Sequence, residues 1–146
     1  MTETPRTPPA PASGRTPASG RDVVLALVAD VASVLLFAAV GLASHNEGEV
    51  TPWGVGQVAL PFLVALALGW AFTLAWRAPL APLRTGVPVW LVTVLGGMLG
   101  RFLLGQGTAV PFIVVATITL LVLLVGWRLI SGFVRGRRRP SASATA

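Results

Sequence analysis

Residues Val89–Phe112 read VWLVTVLGGMLGRFLLGQGTAVPF. The stretch is apolar and rich in glycine, and its one cation, Arg101, sits among residues that belong in lipid. Read as a membrane segment, it holds the outer half of one helix, a tight turn at Gly105-Gln106-Gly107-Thr108, and the start of the next helix. The rest of the chain then becomes the lipid-embedded frame around this hairpin.

Composition agrees. Over half of the 146 residues are hydrophobic and 11% are charged, against about 25% charged in an ordinary soluble domain. The mean hydropathy is +0.79. There is no cysteine, which excludes a disulfide framework and a thiolate metal site. All 11 basic residues are arginine, and the Ala, Pro and Gly excess points to a GC-rich bacterial genome. The net charge of +6 raises the question of nucleic acid. The arginines answer it, because they cluster beside apolar runs, where they set membrane topology. The lipid bilayer is therefore the expected partner, and no nucleic acid is expected.

Working outward, four spans emerge: about 23–44, 55–76, 87–104 and 109–130. The first is about 22 residues, roughly 33 Å as a helix and enough to cross a bilayer. Its Gly41-Leu42-Ala43 resembles a signal-peptide cleavage site, but the run is longer than an h-region and carries Asp30, so a retained helix is expected. The polar turn His45–Pro52 carries Glu47 and Glu49, and Trp53 marks the return to the interface. Pro61 is expected to bend the second span. Arg77–Gly86, with two prolines and two arginines, is a loop. The fourth span is rich in Val, Ile and Leu but is too long for a strand. Residues 1–22, dominated by Pro, Ala and Thr, read as a disordered tail, and 131–146 read as a basic tail.

Ten arginines fall on one side of this four-span scheme: those before the first span, in the 77–86 loop, and at and after the end of the fourth. Glu47 and Glu49 fall on the other side. The positive-inside rule puts both termini in the cytoplasm, and Trp76, Trp90 and Trp127 line up at the same inner interface. The expected fold is an all-α integral membrane protein, four transmembrane helices in an antiparallel bundle in the cell membrane. Pro61-Phe62 and Trp76-Arg77 recur as Pro111-Phe112 and Trp127-Arg128, at offsets of 50 and 51 residues. A duplicated hairpin would produce this. So would two outer-to-inner helices that each open with proline and close with Trp-Arg.

The polar residues inside the spans are the candidates for function. Asp30 lies about 10 Å inside the inner edge of the first helix by helical rise. A charge there needs a partner, neutralisation or water. Thr93 sits at similar depth, while Thr73, Arg77 or Arg128 could reach it from the inner surface. Asp30 is then either a protonatable or cation-binding carboxylate on a transport path, or an anchor between helices. Arg101 lies toward the outer end, level with Gln57, Gln106, His45 and Glu47. It is either an anion contact or a snorkelling residue held by Glu47 or Glu49. Gly96, Gly97 and Gly100 mark a close helix contact, within the chain or across a homo-oligomer. His45, the only histidine, has no neighbours with which to build a zinc site or a triad. No enzyme activity and no cofactor are expected.

The chain also resembles a prokaryotic membrane-protein family catalogued as the domain of unknown function DUF3054. The matching elements are an Asp in the first helix followed by GLASHNEG at 41–48, PF at 61–62, GW at 69–70, WLVTVLGGMLGR at 90–101, and TAVPFIVVAT at 108–117 closing in GWR at 126–128. The family pattern carries an Arg after the first glycine of that motif, where this chain has Leu42 and Ala43. The resemblance implies a four-helix integral membrane protein and supplies no activity. The function expected is that of a small transporter or channel-like component, with Asp30 and Arg101 lining a polar interior. The alternative is a structural or assembly protein without transport activity, whose polar residues hold helices together.

Overall fold

The structure is a computed structural model that describes residues 18–45 and 50–137. Glu47, Glu49, the far N-terminal arginines, Arg138 and Arg139 lie outside the described residues, as does the side chain of His45. Four long helices make up the fold: α1 (Gly20–His45), α2 (Pro52–Thr73), α3 (Val87–Leu103) and α4 (Val110–Arg137). No strand occurs among the described residues. Four helical segments, the third running from Pro82 through α3 to Leu103, are long and apolar enough to cross a membrane, the make-up of a multi-pass membrane protein.

The helix ends differ from the expected spans for local reasons. α2 starts three residues early because Thr51 caps it, its side chain accepting from Gly54 N–H, and Pro52 occupies the first turn. It stops at Thr73 because Leu74 adopts a left-handed conformation, φ 49° and ψ 47°. Trp76 and Arg77 therefore sit in a short 3-10 turn, Ala75–Arg77. A single wide helical turn, Pro82–Gly86, leads into α3. α4 continues through Arg137, seven residues into the expected basic tail. Two contacts support that extension: Arg137 lies over the Phe133 ring at 4.2 Å, and Arg135 pairs with Asp22 at 2.8 Å. The latter also ties the end of α4 to the start of α1.

Consecutive helices pack on each other and α4 returns to α1, so the four close into a cycle. The inner stripe of α1 is Ala26, Asp30, Val34, Phe37 and Ala38, and that of α4 is Ala116, Leu120, Leu124 and Arg128. Both follow the four-residue spacing of one helix face. Outside, Val24, Val28, Leu60, Leu95, Val122 and many like them stay exposed, as lipid-facing positions do. Phe37, Phe62 and Phe112 meet in the core with ring centroids 5.3 to 6.3 Å apart.

The closest seam joins α2 to α3. A methyl group at Gly96 would meet Ala65 Cβ at 2.8 Å, and one at Gly100 would meet Pro61 Cβ at 2.8 Å. At Gly97 it would run into the Phe62 ring. These three glycines thus meet α2 of the same chain, the intramolecular alternative of the two weighed above. The two Pro-Phe pairs converge on one aromatic cluster, but the two Trp-Arg pairs do not correspond. Arg77 is exposed in a turn, whereas Arg128 is buried on α4.

Candidate functional site

Asp30 is fully buried, and so is its partner. Arg128 grips it with two parallel bonds, Nη1 to Oδ1 at 2.7 Å and Nη2 to Oδ2 at 2.7 Å. Two indoles complete the carboxylate: Trp127 Nε1 donates to Oδ1 at 3.0 Å and Trp70 Nε1 to Oδ2 at 2.8 Å. Each oxygen therefore receives two donors, which uses the acceptor capacity of an ionised carboxylate.

The guanidinium is engaged nearly as fully. Its Nε donates to the Pro79 carbonyl at 2.9 Å, and Nη1 also donates to the Leu124 carbonyl at 2.6 Å. Its carbon lies 4.5 Å from the Trp127 ring centroid. Gly86 leaves room for the stem, since a methyl group there would come within 3.0 Å of Arg128 Cδ. The pieces come from α1, α2, the loop after α2, and α4. The loop is itself pinned by Thr85 Oγ1, which donates to Ala78 O at 2.7 Å.

Burying two ions forfeits several kcal/mol of hydration for each. Bidentate geometry and charge-assisted bonds recover most of that loss, provided the leftover donors and acceptors are also paired. Here four of the five guanidinium N–H groups and both carboxylate oxygens are engaged. The result is a closed, charge-neutral clamp. A proton or cation reaching Asp30 would have to displace an N–H donor.

Thr93, level with Asp30 in depth, is not part of the clamp. It is buried and donates to Val89 O at 2.7 Å on its own helix. Thr73 does the same toward Gly69 O. Of the partners that depth allowed for Asp30, the fold selects Arg128, which turns inward instead of snorkelling to the surface.

Arg101 belongs to a second cluster, beside the turn between α3 and α4. Its Nη1 donates to Gln106 Oε1 at 3.2 Å and its Nη2 to Gln106 O at 3.1 Å. Gln106 Nε2 reaches Gln57 O at 3.3 Å. The guanidinium lies 4.2 Å from the Phe112 centroid. Gln57, Arg101 and Gln106, matched in depth by helical rise, are thus brought together. Asp30 and Arg101 are not: each is held in its own cluster, without a hydrogen bond or ion pair between them. The described residues contain no group of three or more His, Cys, Asp or Glu placed to hold a metal ion.

Sequence reasoning missed the two tryptophans. A signal for Trp70 was present. It lies inside an apolar run, away from the interface that tryptophan favours, and a buried indole N–H seeks an acceptor. Asp30 is the one carboxylate within the apolar runs. Trp90 behaves similarly, donating to Thr117 O at 3.0 Å and so tying α3 to α4. Three of the five tryptophans thus bridge helices, while Trp53 and Trp76 are exposed.

No curated protein and no solved structure matches the chain. A family model, described as a protein of unknown function (DUF3054), does match, over residues 27–131. That span opens just before Asp30 and closes just after Arg128, enclosing every side chain of the clamp, and the chain belongs to this family.

Proposed function

We propose that the chain is a non-enzymatic membrane protein of structural or assembly type, whose inner half is locked by the Asp30–Arg128 clamp. The observation that carries this is the saturation of Asp30: each oxygen takes two N–H donors in a fully buried setting. A transport carboxylate needs a free lone pair or a wetted face to take up and release its ion. The clamp instead joins three helices and a loop at one level of the fold.

In this reading the four helices cross the cell membrane of a bacterium in alternate directions, with both termini in the cytoplasm. The ion pair between Arg135 and Asp22 supports the placement of the two chain ends on one side. The bilayer is the partner.

The test replaces both clamp ions by apolar residues of similar volume, Asp30→Leu with Arg128→Met. A structural clamp predicts that the double variant, once shown to fold and insert, supports the same cellular phenotype as the wild type in a deletion strain. A folded double variant that behaves like the deletion would favour the small-transporter reading, and a change in ion or solute flux in proteoliposomes would establish it.

A further inference from the structure

A second feature lies on the outer face of the clamp's own helix. A groove of about 390 Å³ runs along α4, lined by Trp127, Ile130, Ser131, Val134 and Arg135. The spacing is that of a single helix face. Ile130 and Val134 are exposed, Trp127 is half-buried, and the lining is largely apolar, with the Ser131 hydroxyl turned back to Arg128 O and Arg135 at the C-terminal end. The Arg135 side chain is 56% exposed. One of its nitrogens, Nη2, pairs with Asp22. Arg21 and Arg137 are exposed at the same end of the fold. Arg21 and Arg135 thus act together on a single acid, Asp22, at the groove's mouth, while the Arg137 guanidinium lies over Phe133.

We infer that this groove seats an anionic phospholipid. One acyl chain lies along Trp127, Ile130 and Val134, and the phosphate meets Arg135. Two observations choose the occupant. The apolar strip ends in a cation, which matches the order of chain and headgroup in a phospholipid. The excess of arginine over acid at the mouth matches an anionic headgroup in preference to a zwitterionic one. Trp127 forms one wall while its indole N–H holds Asp30, so a seated chain packs against the clamp from outside.

The test uses the purified full chain in mild detergent, with native mass spectrometry counting bound dioleoyl phosphatidylglycerol and, in parallel, dioleoyl phosphatidylcholine. The anionic phosphatidylglycerol should bind more tightly. Arg135→Gln should weaken it about fivefold, the loss expected of one surface cation. Asp22→Asn removes the same ion pair but leaves Arg135 free for phosphate, and it should bind the lipid at least as well as the wild type. Val134→Trp, which fills the groove, should weaken both lipids.

Equal binding of the two lipids would overturn the inference. So would parallel losses in Arg135→Gln and Asp22→Asn, which would mean that only the ion pair matters. Unchanged binding in Val134→Trp would reduce the effect to diffuse surface charge. A dimer that Val134→Trp abolishes while lipid has no effect would assign the groove to a second copy of the chain.

Discussion

Removing one ion of the clamp should be far worse than removing both. Consider Asp30→Asn. Whichever oxygen becomes an amide nitrogen, two N–H donors then face a donor: Trp127 Nε1 and Arg128 Nη1 on one side, or Trp70 Nε1 and Arg128 Nη2 on the other. The guanidinium also stays charged and buried. Breaking a buried pair in this way costs about 3–5 kcal/mol. Arg128→Met carries a similar penalty, because it leaves the carboxylate held by two indoles alone.

The double variant Asp30→Leu/Arg128→Met removes both charges. What remains is two indole N–H groups and two backbone carbonyls that have lost a partner. Interhelical hydrogen bonds inside membrane proteins average about 0.6 kcal/mol, so the double variant should lose about 2–3 kcal/mol. The two single changes would sum to about 6–10 kcal/mol, which leaves a coupling of at least about 3 kcal/mol. The measurement is a double-mutant cycle in mixed micelles, with unfolding by dodecyl sulfate followed by far-ultraviolet circular dichroism. Additive losses, or single variants within about 1 kcal/mol of the wild type, would refute the claim that the charges hold each other and would return Asp30 to the list of ion-binding candidates.

Three further expectations bear on the rest of the fold. Trp70→Phe removes one donor to a charged acceptor and should cost about 1.5 kcal/mol, near the upper end for such bonds in membranes; the same unfolding titration measures it. Gly97→Ala forces a methyl group into the buried Phe62 ring and should cost at least about 1–3 kcal/mol, whereas Gly126→Ala meets nothing within 4 Å and should gain up to about 1 kcal/mol from helix propensity. Equal behaviour of the two would undo the account of the α2–α3 seam. Reporter fusions after Gly48 and Gly105 should read outside and one after Arg84 inside; the opposite pattern would invert the arginine argument.

The spans and the glycine seam were legible because each depends on one local property. A run of about 20 apolar residues crosses a bilayer whatever surrounds it. Glycines at four-residue spacing mark a close contact whichever helix they meet, although Phe62, Ala65 and Pro61 could not be named in advance. The partner of Asp30 was harder, since depth along a helix can be counted at 1.5 Å per residue while rotation about its axis cannot. Thr93 has the right depth and bonds instead to its own helix. In a soluble helix the polar face reveals the rotation. Here lipid makes the outer face apolar too, so Val24 and Val34 look alike although one is exposed and the other buried.

Size carries part of the information about rotation in such helices, and only part, since Ala32, Ala67 and Ala71 are exposed. Ala26 and Ala38 on α1, Ala59 and Ala65 on α2, and Ala116 on α4 are all buried, while much of the exposed surface is Leu and Val. Small residues let backbones approach where packing drives association. On that criterion Asp30 shares a face with Ala26 and Ala38, and Arg128 continues the face begun by Ala116. The same two stripes that define the core of α1 and α4 therefore aim the carboxylate and the guanidinium at each other. The clamp follows from the packing of those faces, which is why its loss should register as unfolding before it registers as anything else.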